Sequence, residues 1–267
     1  MVSPVRKQRP MTADDYLRLA LHTGSPDAAA VYAEKGLRYA SDRVDAETRV
    51  LLLREIYRSH LYARRVRSAH AVARKMVRLG VAQEIAHVDL GRACLTLGWW
   101  LRAAQAYRIA ARNAPASRRA LHWFSVGIAL HHAEQTDEAL GALDRAVRWS
   151  LTTRALHRAY AALVRLDGGE RPDDIDDLAE RIAELESARC GEGFGRYVLG
   201  LLHAAGGDRG RARRNLVLFL RRNQHDPMRA VTLAHELRRA RRCLRQLRAP
   251  AQSPSSPPPT GAPTPTG

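Results

Sequence analysis

Small side chains recur at a fixed spacing in this chain, and that recurrence limits the fold more tightly than any other feature. In residues 84–117, Leu90, Gly91, Cys94, Gly98, Ala103, Tyr107, Ala110 and Pro115 stand at positions 7, 8, 11, 15, 20, 24, 27 and 32 counted from Glu84. The register returns at 120–153 with Val126, Gly127, Leu130, Ala139, Leu143 and Ala146, and at 193–226 with Leu199, Gly200, His203, Gly207, Ala212, Leu216 and Phe219. Gly91 and Ala103 fall near the middles of two helices, where a missing or small side chain lets the helices approach closely. Gly98 can take the left-handed conformation that ends the first. A period of this length is the signature of stacked supersecondary units, each burying its apolar face only against its neighbours.

Ala, Leu and Arg dominate between about residues 11 and 248, and no sustained apolar/polar alternation of strand length stands out, so the domain reads as all helical. Two weaker units precede the clear ones. Residues 10–43 offer Gly24, Ala29 and Ala33 at positions 15, 20 and 24, and residues 50–83 offer Ala69, Ala73 and Met76 at 20, 24 and 27, with Tyr57 where glycine is usual. From 154 to 190 a helix containing Ala159 and Leu163 and another containing Ile175, Leu178, Ile182 and Leu185 are joined by a long loop, Asp167 to Pro172. A final helix is predicted from Pro227 to Arg248, capped by Asp226, and it closes the stack. Thr12 is a helix cap after a basic, unstructured stretch at 1–10. Residues 249–267 hold seven of the 13 prolines and no charge, and read as a disordered tail.

The spacing resembles the tetratricopeptide repeat (TPR), over about two thirds of the chain. The resemblance implies an all-α, right-handed superhelical solenoid of helix-turn-helix repeats with a C-terminal capping helix. It also implies a concave groove lined by positions 2, 5, 9, 12 and 13 of each first helix. In this sequence these are Ile85, Val88, Arg92, Leu95 and Thr96, then Leu121, Phe124, Ile128, His131 and His132, then Phe194, Tyr197, Leu201, Ala204 and Ala205. That lining is unusually apolar and lacks the Lys, Asn and Arg set with which members of the family clamp a carboxylate tail. Two readings stay open. The groove receives an amphipathic helix or extended segment of a partner, or it is filled by the chain's own N- or C-terminal helix. Of the tryptophans in the best repeat, Trp100 reads as a packing residue and Trp99 as the more exposed.

The chain of 267 residues carries a formal charge of +17, and all but three of its 44 basic residues are arginine. Placement matters more than the total. Residues 209–248 hold 13 arginines and two acids, with Arg238, Arg239, Arg241, Arg242, Arg245 and Arg248 crowded on the last helix, whereas 167–192 holds ten acids and three arginines. Such a basic patch can bind phosphate backbones, anionic lipid or an acidic protein surface, although it has almost no interleaved aromatics on which bases could stack. A solvated charged face, or self-association of the basic end with the acidic patch, is the plainer alternative.

No phosphate-binding loop, nucleophile elbow or zinc-binding motif occurs, and no cofactor or metal is expected. His131 and His132 are adjacent on a helix, about 100° apart, and cannot share one ion without further ligands. Cys94 reads as a buried, inert thiol. Three scattered cysteines fit a reducing compartment, and no run reaches the ~18 apolar residues of a membrane span. These features predict a non-enzymatic, cytoplasmic scaffold or adaptor that holds a protein or peptide segment, within a bacterial complex. The rival is an arginine-rich module binding nucleic acid or an anionic surface.

Overall fold

The computed structural model describes residues 11–39, 44–175 and 177–248. The expected disordered segments, 1–10 and 249–267, lie outside these. Among the described residues the chain forms fourteen α-helices and no strand. Six successive pairs carry the fold: α1 (Ala13–His22) with α2 (Pro26–Tyr39), α3 (Ala46–Tyr62) with α4 (Val66–Arg78), α5 (Gln83–Thr96) with α6 (Trp100–Asn113), α7 (Ala116–His132) with α8 (Thr136–Trp149), α9 (Arg154–Asp167) with α10 (Leu178–Ser187), and α11 (Phe194–Ala205) with α12 (Arg209–Asn223). Two further helices, α13 (Pro227–Thr232) and α14 (Ala234–Arg248), follow. From α1 to α9 each helix packs on the next, and two apolar clusters, one from α1 to α5 and one from α5 onward, meet at Leu90. This is an all-α helical-repeat solenoid.

Local chemistry starts several helices. Thr12 and Asp15 cap α1 reciprocally, the Thr12 N–H donating to Asp15 at 2.9 Å and the Asp15 N–H to Thr12 Oγ1 at 3.3 Å. The carboxylates of Asp45, Asp208 and Asp226 accept the N–H of Thr48, Arg211 and Arg229, each at 2.9 Å, opening α3, α12 and α13.

The period rests on one contact that repeats. A Cβ added at Gly91, Gly127 or Gly200, all at position 8, would lie 2.9 Å from Tyr107, 2.8 Å from Leu143 and 2.6 Å from Leu216, all at position 24. Glycine at 8 therefore lets the helices close on a large residue at 24. The 50–83 unit reverses the volumes: Tyr57 at position 8 and Ala73 at position 24 are both wholly buried in the same core. Leu17 and Ala33 do the same in the first unit. Position 15 keeps its left-handed backbone with or without glycine, at Gly98 (φ 77°), Gly207 (φ 81°), Arg64 (φ 60°) and Glu134 (φ 59°). The two side-chain-bearing cases carry about 1–2 kcal/mol of strain each.

Two expectations are corrected. Ile175 is buried but precedes α10, at the end of a short 3-10 turn over Pro172–Asp174. The final helix is two helices, broken at Leu233 (φ −108°, ψ 21°), whose N–H still donates to the Arg229 carbonyl at 2.8 Å. The break lets α13 and α14 follow different paths.

Candidate functional site

The two last helices fold back on the first helices of the pairs, the face that the repeat resemblance makes concave, meeting α3, α5, α7, α9 and α11 as well as α12. α14 covers α11 and α12, as a capping element would, while α13 packs on α3 and α5. Met228 and Arg229 reach far enough to share a cavity of about 420 Å³ with Ala20 of α1, Pro26 of α2 and Tyr62 of α3. Ala230, Val231 and Leu237 share another, of about 490 Å³, with Thr96. The C-terminal segment thus crosses from the last repeat to the first.

Polar contacts staple α14 down. Arg239 donates two hydrogen bonds of 2.6 Å to Asp167 at the end of α9. Asp167 also pairs with His131 Nε2 at 2.8 Å, and His131 Nδ1 lies 2.9 Å from the Tyr160 hydroxyl. Burial acts against both charges, but the bonds from His131 and Arg239 hold Asp167 below the usual carboxylate range. Arg239, likewise opposed by burial, is raised by its bonds to Asp167. Beside them His132 Nε2 meets Glu236 at 3.5 Å, both side chains almost fully buried. The His235 ring sits 4.2 Å from that of His132 and 5.7 Å from that of Trp100. Burial and the neighbouring His132 push His235 down to about 4, so it is neutral at pH 7.

Most of the apolar residues expected to line a groove are core. Phe124 stacks on His157 at 4.6 Å and meets Tyr160 and Phe194 edge-on, while Tyr197, 1% exposed, packs between Phe194 and Phe219 at 5.4 and 5.2 Å. Ile128 and Leu201 are buried in the same cluster, and Leu95 packs against it. Ile85 packs against the N-terminal cluster and Val88 is half-buried. Arg92 is committed to the buried Asp89 at 3.5 Å, which also accepts from Arg54 at 2.9 Å. Leu121, 58% exposed, stands apart from the rest. Trp100 packs on His132 and His235, whereas Trp99 is 37% exposed, flanked by His70 and Arg102. The arginines of the last helix divide. Arg239 points inward to Asp167 and Arg241 lies 3.5 Å from Gln224, while Arg238, Arg242, Arg245 and Arg248 are exposed. Reading positions from the repeat alone missed Tyr160, His157, Asp167, His235 and Glu236. The signal available for α14 was its apolar row, Leu233, Leu237, Ala240, Leu244 and Leu247, opposite the arginine row.

The class this fold defines is the TPR-like helical-repeat solenoid. Among solved structures of this class the chain is similar to MamA 41-end from Desulfovibrio magneticus RS-1, at 20% identity and a TM-score of 0.53 over 64% of this chain and 92% of that one. It is equally similar to the MamA RS-1 ArsTM double mutant, at 19% identity and a TM-score of 0.53 over 64% and 91% of the two chains. No family model and no curated protein sequence matches the chain. No helix among the described residues is long and apolar enough to cross a membrane.

Proposed function

We propose that this chain is a non-enzymatic protein-interaction scaffold of the bacterial cytoplasm, a TPR-like frame whose inner face is filled by its own C-terminal helices and whose partners are held at surfaces that α14 helps to build. The observation that carries the reading is the path of α13 and α14 along the inner face. Phe124, Ile128, Tyr197 and Leu201 share a buried cluster with Leu237 and Ala240 of α14, and arginine side chains of α14 stay outward, which supports the reading. A frame closed in this way presents fixed surfaces and needs little rearrangement on binding, which lowers the entropic cost of association. Beneath α14 the aromatics Tyr160, Tyr197 and Phe219 are buried and unavailable for base stacking, which favours protein over nucleic acid at that surface. Affinity capture from native lysate at moderate salt, with and without nuclease, tests this reading. We expect a defined set of proteins that survives nuclease. Recovery that vanishes with nuclease, or no specific protein at all, would sink it.

A further inference from the structure

Beside the Arg239–Asp167 pair, α9, α11 and α14 enclose an open cleft of about 720 Å³. That volume lies within the usual range for ligand sites, roughly 300–1,000 Å³. Its lining includes Leu163 and Leu166 of α9 and Leu201 and Ala204 of α11, with Arg238 and Arg242 of α14 at the rim. We propose that this cleft binds an acidic peptide segment of a partner protein, seating an apolar side chain against the leucines and placing carboxylates on Arg238 and Arg242. The proposal rests on the scaffold reading above and supplies the chemistry of its partner.

The argument is charge complementarity. The cleft contains two acids, and both are already paired from within: Asp167 with Arg239, and Glu170 by two bonds from Arg165, at 3.0 and 2.7 Å. Arg238 and Arg242 are exposed, one helical turn apart, and neither has an acidic partner among the described residues. Like charges at this spacing repel, so a bound carboxylate relieves a strain the free protein carries. The guanidinium fork suits carboxylates in a bidentate arrangement. Two other polyanions fit less well. No aromatic other than the His235 ring lines the cleft to stack a base, and the apolar surface is recessed, which suits a side chain entering it and not insertion into a bilayer.

An array of random peptides of about a dozen residues, probed with the full-length protein at moderate salt, gives the test. The enriched sequences should combine Asp or Glu with at least one large apolar residue. A selected peptide should lose about tenfold or more in affinity with Arg238→Glu/Arg242→Glu, and similarly with Ala204→Trp, which fills the floor. Because both arginines are exposed and unpaired, the double variant should keep the wild-type melting curve, so the loss cannot be laid to unfolding. No enrichment, enrichment without acidic bias, equal binding of polyglutamate or of a single-stranded DNA, or full affinity in the double variant would each overturn the proposal. If those results came with a nuclease-resistant partner set still recovered by Arg238→Glu/Arg242→Glu, the scaffold reading would stand and only this cleft would fall.

Discussion

Replacing Tyr197 with alanine should remove a large share of the stability of the fold. Its ring is 1% exposed and packs between Phe194 and Phe219, while Phe194 in turn contacts Phe124 and Tyr160. Truncating a buried aromatic costs about 3–5 kcal/mol, from lost transfer free energy and the cavity left behind. Folded domains hold only about 5–15 kcal/mol in all. The midpoint of urea unfolding should drop accordingly, with the slope unchanged. The same position sits on the predicted partner groove, so the experiment separates two roles. A side chain lining an open groove would cost binding and leave the unfolding curve almost where it was.

Mild acid should weaken the protein through two buried histidines before Asp167 titrates. His157 is fully buried against Phe124, and its Nδ1 has no hydrogen-bond partner. Burial lowers it to about 4, partly offset by a bond to the Ala146 backbone. His235 is lowered to about 4 as well, by burial and by His132 beside it. Both folded values lie below the ordinary 6.5, so the unfolded chain binds protons more readily and gains on the folded one as pH falls. Their contribution is whole above about pH 6.5 and is lost progressively toward about pH 4. By about pH 5 this amounts to about 2 kcal/mol for His157, and less for the half-buried His235. Asp167, held below the usual carboxylate range, adds its loss only at lower pH. Urea midpoints compared at about pH 7 and about pH 5 should show the decline, and His157→Leu should remove the larger part of it. A curve flat across that window would mean that these rings are solvated.

The repeats were legible because one steric fact recurs: glycine at position 8 beneath a large residue at position 24, as in Gly91 with Tyr107 and Gly200 with Leu216. Where Tyr57 replaces that glycine, a consensus comparison sees degeneracy. The packing is intact because Ala73 gives back the volume, a trade visible only when the two positions are read as a pair. Arg64 and Glu134 likewise hold the left-handed turn that glycine announces elsewhere, and nothing in their chemistry advertises it. The capping of α13 by Asp226 and Pro227 was equally plain, whereas the break at Leu233 had no local signal, neither glycine nor proline.

Occupancy of the inner face was beyond local reading for another reason. It depends on how far the stacked pairs curve, since only a curved stack brings α13 to α3 and α5 while α14 lies on α11 and α12. The apolar lining was visible in Phe124, Ile128, Tyr197 and Leu201, but an apolar lining is the same whether the occupant is foreign or covalently attached. The polar partners favour the attached occupant. Asp167 for Arg239 and His132 for Glu236 lie 72 and 104 residues from them in sequence, too far for any periodicity to connect.

Filling of the inner face by the C-terminal helices is tested most directly by photo-crosslinking from position 228 of the full-length protein. Met228 shares its cavity with Ala20, Pro26, Glu55 and Tyr62. With p-benzoylphenylalanine in its place, irradiation of a dilute sample should give a chain joined to itself, and mass spectrometry should map the link to peptides from α1 to α3. Links confined to α12 and α14, or formed only between separate chains, would mean that α13 does not cross the inner face and that the groove stands open.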